Sequence, residues 1–352
     1  MKIAHWAPFA PFRCGLYEAA RDCARADSIR GHEVLFCDTG VVVGGVRAAP
    51  EVGAIDIRPG WVLKTSPWAE AHDADLWVLH DVVNGKASEC SSAPYIFVVH
   101  ARPLAAFRPE QAGTPGSGGY SLVKKLASWP RTKAIVTHWD EFAPHWELVA
   151  GDKLRSTGDP PLDRQRFTAR GTRYEFADPG KFNLLVSDSW RVDVDIYEVA
   201  VACYHAAKQR PGTKVHFWAV EKSAQGNQCW EDVWSALREI GALGEVHVRE
   251  KRIERVYRAA DAVVSPHVIA VRTISEALAC GTPVVAARGC RYTPYQGDPH
   301  NALDMAAAIV RCLDDVEAGT ALADADAFDL ATYGERIESI YEEALGLVPE
   351  LA

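Results

Sequence analysis

Residues 257–289 read YRAADAVVSPHVIAVRTISEALACGTPVVAARG. YRAAD has the composition of a helix end. AVVS at 262–265 is a short apolar run of the kind buried in a parallel sheet. A loop through His267 and Val271 leads to a helix predicted to start near Thr273. Gly281 is the residue type that ends a helix, and PVVA at 283–286 reads as the next buried strand. The start of the predicted helix carries the chemistry. Its first N–H groups lack intrahelical acceptors and its dipole end is positive, so it suits an anion such as a diphosphate. Glu276 falls in the expected first turn, where its carboxylate can accept hydrogen bonds from a ribose diol. The spacing Thr273-x-x-Glu276 also fits a capping box, in which Glu276 only closes the helix. The spacing leaves both readings open.

Outward from this unit, short apolar runs alternate with longer amphipathic ones, the pattern of βα units and a parallel sheet. Strands are predicted at 2–6, 33–37, 76–80, 95–100 and 133–137, with a helix over 15–30 that stops at Gly31. Residues 111–119, rich in Gly, Pro, Ser and Thr, read as a surface loop. Over 156–180, STGDPPLDRQRFTARGTRYEFADPG, the periodicity fails, and this linker composition marks a domain boundary. A second series has strands at 183–187, 214–219, 245–248, 262–265 and 283–286, and 331–345 reads as one amphipathic helix. Two such α/β domains present their strand-end loops to an interdomain cleft.

Composition narrows the function. The 352 residues suffice for two domains, and 48% apolar with 24% charged is ordinary for a globular protein. The net charge of −9 gives no global attraction to nucleic acid or anionic membrane. The nine cysteines include no CxxC pair and read as reduced thiols. The N-terminal MKIAHWAPFAPFRCG has no long apolar signal region, and no run approaches the roughly 20 apolar residues of a membrane helix. A cytoplasmic location is therefore expected. No HExxH or cysteine cluster is present, so no metal site is expected. The DxD triplet of VDVD (192–195) is read as coincidence. No GxGxxG opens a helix, and no nucleophile elbow is visible.

YRAAD, Ser265–Pro266 and EALACGTPVVA together resemble the retaining GT-B glycosyltransferases of the glycogen-synthase and sucrose-synthase type, the family 4-like group. Their motif has the form EGFGxxxxEAxAxGxPVVA, and Glu276 matches its second glutamate, which in the family binds the donor ribose. Val268 stands where the first glutamate would be, and Val271 replaces the second glycine. His267 and Arg272 are the nearby polar candidates to take over from that glutamate. The resemblance implies two Rossmann-like domains, an acceptor-side domain over 1–170 and a nucleotide-sugar domain over 171–330. It also implies that a final helix, 331–352, returns toward the first domain.

The resemblance extends along the chain. Residues 1–40 look like the family's opening strand, glycine loop, helix and GHEV strand, with Cys14–Gly15 where a Gly-Gly pair commonly sits. Gly15 lets backbone approach a ligand or serves only the helix start. DADLWVLHDV (73–82) and PYIFVVHARP (94–103) look like the next two strands. His100 matches a histidine that contacts the donor sugar, and His80 has the same placement. PPLDRQRF (160–167) resembles the interdomain turn NGVDxxxF, with Asp163 and Phe167 in register. VSDSWRVDVDIYEVA (186–200) departs from GRLxxxKG, whose two cations neutralise the pyrophosphate. Asp188 and Asp193 fall near those positions, and Arg191 is the remaining cation, either on phosphate or paired at the surface with Asp188 or Asp195.

The implied activity is transfer of a sugar from a nucleotide diphosphate sugar to a hydroxyl, with retention and without a metal or separate cofactor. His100 and Glu276 are the expected catalytic residues. Gly15, Arg191, His267, Arg272, Thr273 and Glu276 are assigned to the donor, and Cys14, His80 and Arg102 to the acceptor side. Two alternatives remain: a weakened relative that binds without turnover, and an enzyme acting on a hydroxylated base in DNA. The second would use a basic strip of Arg102, Arg108, Lys124, Lys125 and Arg131.

Overall fold

The computed structural model describes residues 1–7, 15–38, 42–43, 46–47, 54–58, 61–66, 73–80, 93–100, 119–188, 196–218, 228–247, 252–323 and 328–347. The chain divides into two compact units, Met1–Leu162 with Phe328–Ala352, and Asp163–Ala327.

The first unit begins with β1 (Lys2–Ala7), α1 (Gly15–Ile29) and β2 (Glu33–Asp38). Two short strands, β3 (Val42–Val43) and β4 (Val46–Arg47), pair with each other. They are followed by β5 (Ala54–Arg58), β6 (Trp61–Ser66), β7 (Leu76–His80) and β8 (Tyr95–Val99). Helix α2 (Gly119–Ala127), β9 (Thr132–Thr137), α3 (Ala143–Ala150) and β10 (Leu154–Ser156) complete this run. The eight-stranded sheet has the order β10-β9-β8-β7-β1-β2-β6-β5 and is parallel except where β5 meets β6. Strand order therefore reverses between β1 and β7.

The second unit contains β11 (Phe182–Val186), α4 (Ile196–Gln209), β12 (Thr213–Phe217), α5 (Gln228–Glu239) and β13 (Leu243–Val246). It continues with α6 (Ile253–Ala259), β14 (Ala262–Val264), α7 (Arg272–Ala279), β15 (Val284–Ala287), β16 (Gln296–Gly297) and α8 (Ala302–Ala318). Its six strands run β13-β12-β11-β14-β15-β16, every pair parallel. Counted within the unit this is the order 3-2-1-4-5-6 of a doubly wound nucleotide-binding sheet, with the reversal between β11 and β14. The two units are thus α/β parallel-sheet folds, as the alternating pattern predicts.

The central strands form because their residues are largely apolar on both faces. All five residues of β7, β8 and β11 are buried, which a parallel sheet covered by helices requires. Leu184, Val186, Val215, Phe217 and Val264 pack against Val199, Cys203, Ile309 and Leu313 in the second core. The last helix, α9 (Leu330–Leu345), belongs to the first unit, where Tyr333, Ile337 and Tyr341 join a core with Ile3, Val78, Ile96 and Val136. Asp329 caps its start by accepting from the amides of Ala331 and Thr332, and Gly346, left-handed at φ 68°, ends it.

Two expectations need correction. The strand predicted at 245–248 pairs instead over Leu243–Val246, with a register shift against β12. Gly244 makes that register possible, because a Cβ there would lie 2.5 Å from Nδ1 of His216. Strands β5 and β6 were not expected: AIDIR, at the sheet edge, interleaves charge with apolar residues, which an outer strand tolerates, and WVLKTS, beside it, is apolar only over its first three residues. The helix predicted to start near Thr273 begins at Arg272, in line with that expectation.

Candidate functional site

In the second unit the chemistry collects at the carboxyl ends of β11 and β14, where strand order reverses. Strand β11 delivers Ser187 and Asp188, and β14 delivers Ser265 and His267. Helix α7 follows from Val271, an extended N-cap residue with φ −64° and ψ 166° that supplies no side-chain hydrogen bond. A valine cannot accept from the first-turn amides as Ser or Asp would, so the N-cap residue itself brings no acceptor to the positive end of the helix dipole.

Asp188 is only 3% exposed, and its Oδ1 lies 3.4 Å from Nε2 of His267. Burial pushes the Asp188 carboxyl up, but the adjacent His267 imidazole and the Ser265 and Thr273 hydroxyls outweigh it. The net pKa lies below the ordinary value. The sequence reading took Asp188 for a residue at a lost cation position or a surface partner of Arg191. Burial against His267 gives it another role. Its signal was local: a polar Ser-Asp pair following a strand that is apolar but for Asn183.

Glu276 is buried and is the fifth residue of α7, so it lies in the second turn rather than the first. The capping-box reading fails for the same reason, because the N-cap is Val271 and not Thr273. The carboxylate instead accepts from Nε of Arg272 at 2.7 Å, one turn back on the same face. The Arg272 guanidinium also stands 5.8 Å from the Phe167 ring centroid, a cation–π contact that explains an aromatic at the end of PPLDRQRF. Asp163 accepts from the amides of Gln165 and Arg166 and shapes that turn. Tyr257 lies behind the site with its hydroxyl 3.3 Å from Oγ of Ser187. Burial, helped by Glu276 and Asp188, pushes that phenol well above its usual range. Val268 is 37% exposed on the loop before α7.

The glycine after α7 is structural. Gly281 has φ +77°, and a Cβ there would sit 2.9 Å from Cβ of Ala169. The left-handed turn lets Thr282 bond the Ala277 carbonyl and sends the chain into β15.

In the first unit a row of histidines crosses the carboxyl ends of four neighbouring strands. His5 lies in β1, His80 ends β7, His100 follows β8 and His138 follows β9. His5, His80 and His138 are fully buried and His100 is half-buried. Nδ1 of His5 is 3.0 Å from Nε2 of His80, and Nδ1 of His80 is 2.9 Å from Nε2 of His100. Nε2 of His5 is 2.7 Å from Oδ2 of Asp27 on α1. Sequence reasoning singled out His80 and His100 but missed His5, His138 and Asp27. The available signal was the repeated ending of apolar strands in histidine: VLH, VVH and VTH.

Gly15 begins α1. Cys14, Arg102 and Arg191 lie outside the described residues, as do Arg108 and Asp195. Lys124, Lys125 and Arg131 of the basic strip are exposed. Among the described residues, no three His, Cys, Asp or Glu side chains are grouped to hold a metal ion, and no helix is long and apolar enough to cross a membrane.

The sequence matches no protein-family model and no curated protein. Solved structures do match. HepE from Anabaena, crystallised with UDP and glucose, is 15% identical over 97% of this chain and 99% of its own, with TM-score 0.68. A glycosyltransferase from Rickettsia africae is 13% identical over 98% of each chain, with TM-score 0.66. The catalytic domain of starch synthase IV from Arabidopsis thaliana, bound to ADP and acarbose, is 10% identical over 98% of this chain and 99% of its own, with TM-score 0.64. At these identities the likeness is one of fold, and it spans nearly the whole chain: the protein has the α/β GT-B fold of these glycosyltransferases.

Proposed function

We propose that the chain is a family 4-like glycosyltransferase that moves a sugar from a nucleotide diphosphate sugar to a hydroxyl acceptor, with retention and without a metal. The observation that carries this reading is the start of α7, whose N-cap Val271 supplies no side-chain acceptor, at the strand-order reversal, with buried Glu276 one turn beyond it. HepE has also been solved with UDP-glucose, which favours such a donor.

In this reading the donor diphosphate rests on the first turn of α7, where the helix dipole and amides stabilise the leaving charge. Glu276 accepts from the ribose hydroxyls, sharing its carboxylate with Arg272. Asp188 anchors the His267 ring beside the diphosphate, where relatives use Arg and Lys, and Arg191 supplies the cation. The anomeric C–O bond to the diphosphate breaks while a bond from the acceptor oxygen forms on the same face. The acceptor proton passes to the departing diphosphate oxygen. In the first unit, His100 and Gly15 are assigned to substrate binding.

A second reading, binding without turnover, is favoured by Val268, which brings no carboxylate to the sugar. One experiment addresses both. A panel of nucleotide sugars is screened by thermal shift and by hydrolysis or transfer, because a ligand of the native state raises the melting temperature. Turnover that Glu276→Gln abolishes supports the enzyme. Stabilisation without turnover supports the binder, and no stabilisation by any nucleotide sinks both.

A further inference from the structure

Arg272 sits where its own helix disfavours it. It is the first residue of α7, so its guanidinium lies at the positive end of the helix dipole. It also precedes Glu276 by four residues, and in that order an ion pair on a helix gains less than with the acid first. Holding one geometry further costs a long side chain its rotamer freedom. Yet Nε of Arg272 donates to Oε1 of Glu276 at 2.7 Å, and the two side chains are only 15% and 10% exposed. A contact from outside the helix supplies what α7 lacks.

That contact is the ring of Phe167. It is fully buried, and the Arg272 guanidinium stands 5.8 Å from its centroid. A cation over an aromatic face is held more firmly when the pair is shielded from water. The ring is itself fixed from both directions along the chain. Upstream, the Phe167 amide donates to the Asp163 carbonyl at 2.9 Å, and the Asp163 carboxylate accepts from the amides of Gln165 and Arg166. Downstream, Arg258 on α6 donates to the carbonyls of Thr168 and Thr172 at 3.1 and 2.9 Å. The Arg166 guanidinium lies 4.8 Å from the same ring and pairs with Glu254, also on α6. The segment around Phe167 is thus fastened to α6, while its ring fastens the first residue of α7.

We infer that Phe167 is a positioning residue: by holding the Arg272 guanidinium, it fixes the Glu276 carboxylate in the orientation that meets a ribose. The ribose rests on the proposed nucleotide-sugar donor, whereas the hold of Phe167 on Arg272 and Glu276 does not. Phe167 touches no substrate in this scheme and acts through Arg272.

The first test is made on the full chain without ligand, by following exchange of arginine Nε–H protons with water in nitrogen-15 spectra. The Arg272 signal is identified by its loss in Arg272→Lys. In the wild type it should exchange more slowly than the signals of exposed arginines. In Phe167→Leu, which stays apolar but lacks the aromatic face, its exchange should be about tenfold faster. A wild-type Arg272 signal as labile as those of exposed arginines overturns the inference. So does an unchanged rate in folded Phe167→Leu. If that variant does not fold, the wild-type spectrum alone still decides.

The second test uses UDP and 2′-deoxy-UDP as probes, with both affinities read by calorimetry. The wild type should prefer the ribose form, and Phe167→Leu should lose most of that preference. A residue that serves packing alone would lower the melting temperature and leave the preference unchanged, and that result overturns the ribose role. If the wild type shows no binding or no preference, the ribose role falls with the nucleotide reading of Glu276. The exchange rates then still decide the hold on Arg272, so the two failures are distinguishable.

Discussion

Nε2 of His267 lies 3.4 Å from Oδ1 of Asp188, and both side chains are almost wholly buried at the carboxyl end of the second sheet. A carboxylate beside an anion site would ordinarily repel a diphosphate. Paired with His267 it instead anchors that ring at the anion site. Asp188→Asn should therefore weaken nucleoside diphosphate binding by about 1.5–3 kcal/mol, the range for a hydrogen bond to a charged group. Calorimetry at moderate salt reads this directly, and tighter binding by the variant would return Asp188 to a purely repulsive role.

Glu276→Gln keeps the shape of the side chain but removes its charge and turns one acceptor into a donor. Nucleotide affinity should fall at least tenfold, about 1.4 kcal/mol. Wild-type protein should prefer a ribose over a 2′-deoxyribose nucleotide, and the variant should discriminate little. Because Val271 and not Thr273 is the N-cap, no cap is lost. A variant that keeps the ribose preference would remove Glu276 from the nucleotide site.

Acid should destabilise the first unit through His138. Burial pushes this imidazole down to about 3, against 6.5 when exposed. Between those values the unfolded chain binds a proton that the folded chain does not. The stability is thus fully present above pH 6.5 and declines by about 1.4 kcal/mol per unit as pH falls toward 3. His216, pushed to about 4 mainly by burial, adds a parallel loss in the second unit. Urea unfolding at pH 7 and 4.5 should show the decline, and His138→Gln should remove part of it. An equal decline in the variant would mean that His138 does not carry it.

Gly281→Ala tests the turn after α7. The residue must hold φ +77°, and the new methyl would meet Cβ of Ala169 at 2.9 Å. Strain in the left-handed region costs about 1–2 kcal/mol, and the close contact adds to it. Denaturant midpoints should fall accordingly. A variant as stable as wild type would show that the turn relaxes without cost.

The buried strands were readable from sequence because a parallel strand covered on both faces must be largely apolar, as LWVLH, YIFVV and FNLLV are but for His80 and Asn183. Helix ends were readable where a residue type has one use, as Gly31 and Gly281 do. Strands β5 and β6 were not, because an outer strand such as AIDIR needs no continuous apolar run. Glu276 shows the limit within one helix: Thr273-x-x-Glu276 fits a capping box, yet the loop from β14 enters the helix at Arg272, which shifts the glutamate to the second turn. Spacing specifies relative position along the chain, and the loop path specifies where the helix begins.

The sequence alone determined the alternation of strand and helix, and placed His80 and His100 at strand ends. It could not show that His5 and Asp27 complete a line with them. Those residues are separated by up to 95 positions, and only the strand order β8-β7-β1 brings their nitrogens within hydrogen-bond distance. Likewise, Asp188 and His267 each end a different strand, and it is the reversal between β11 and β14 that joins them. Local pattern fixes what each segment becomes because propensity and burial act over a few residues. Which segments become neighbours depends on contacts far apart in the chain, and the chemistry of both sites lies there.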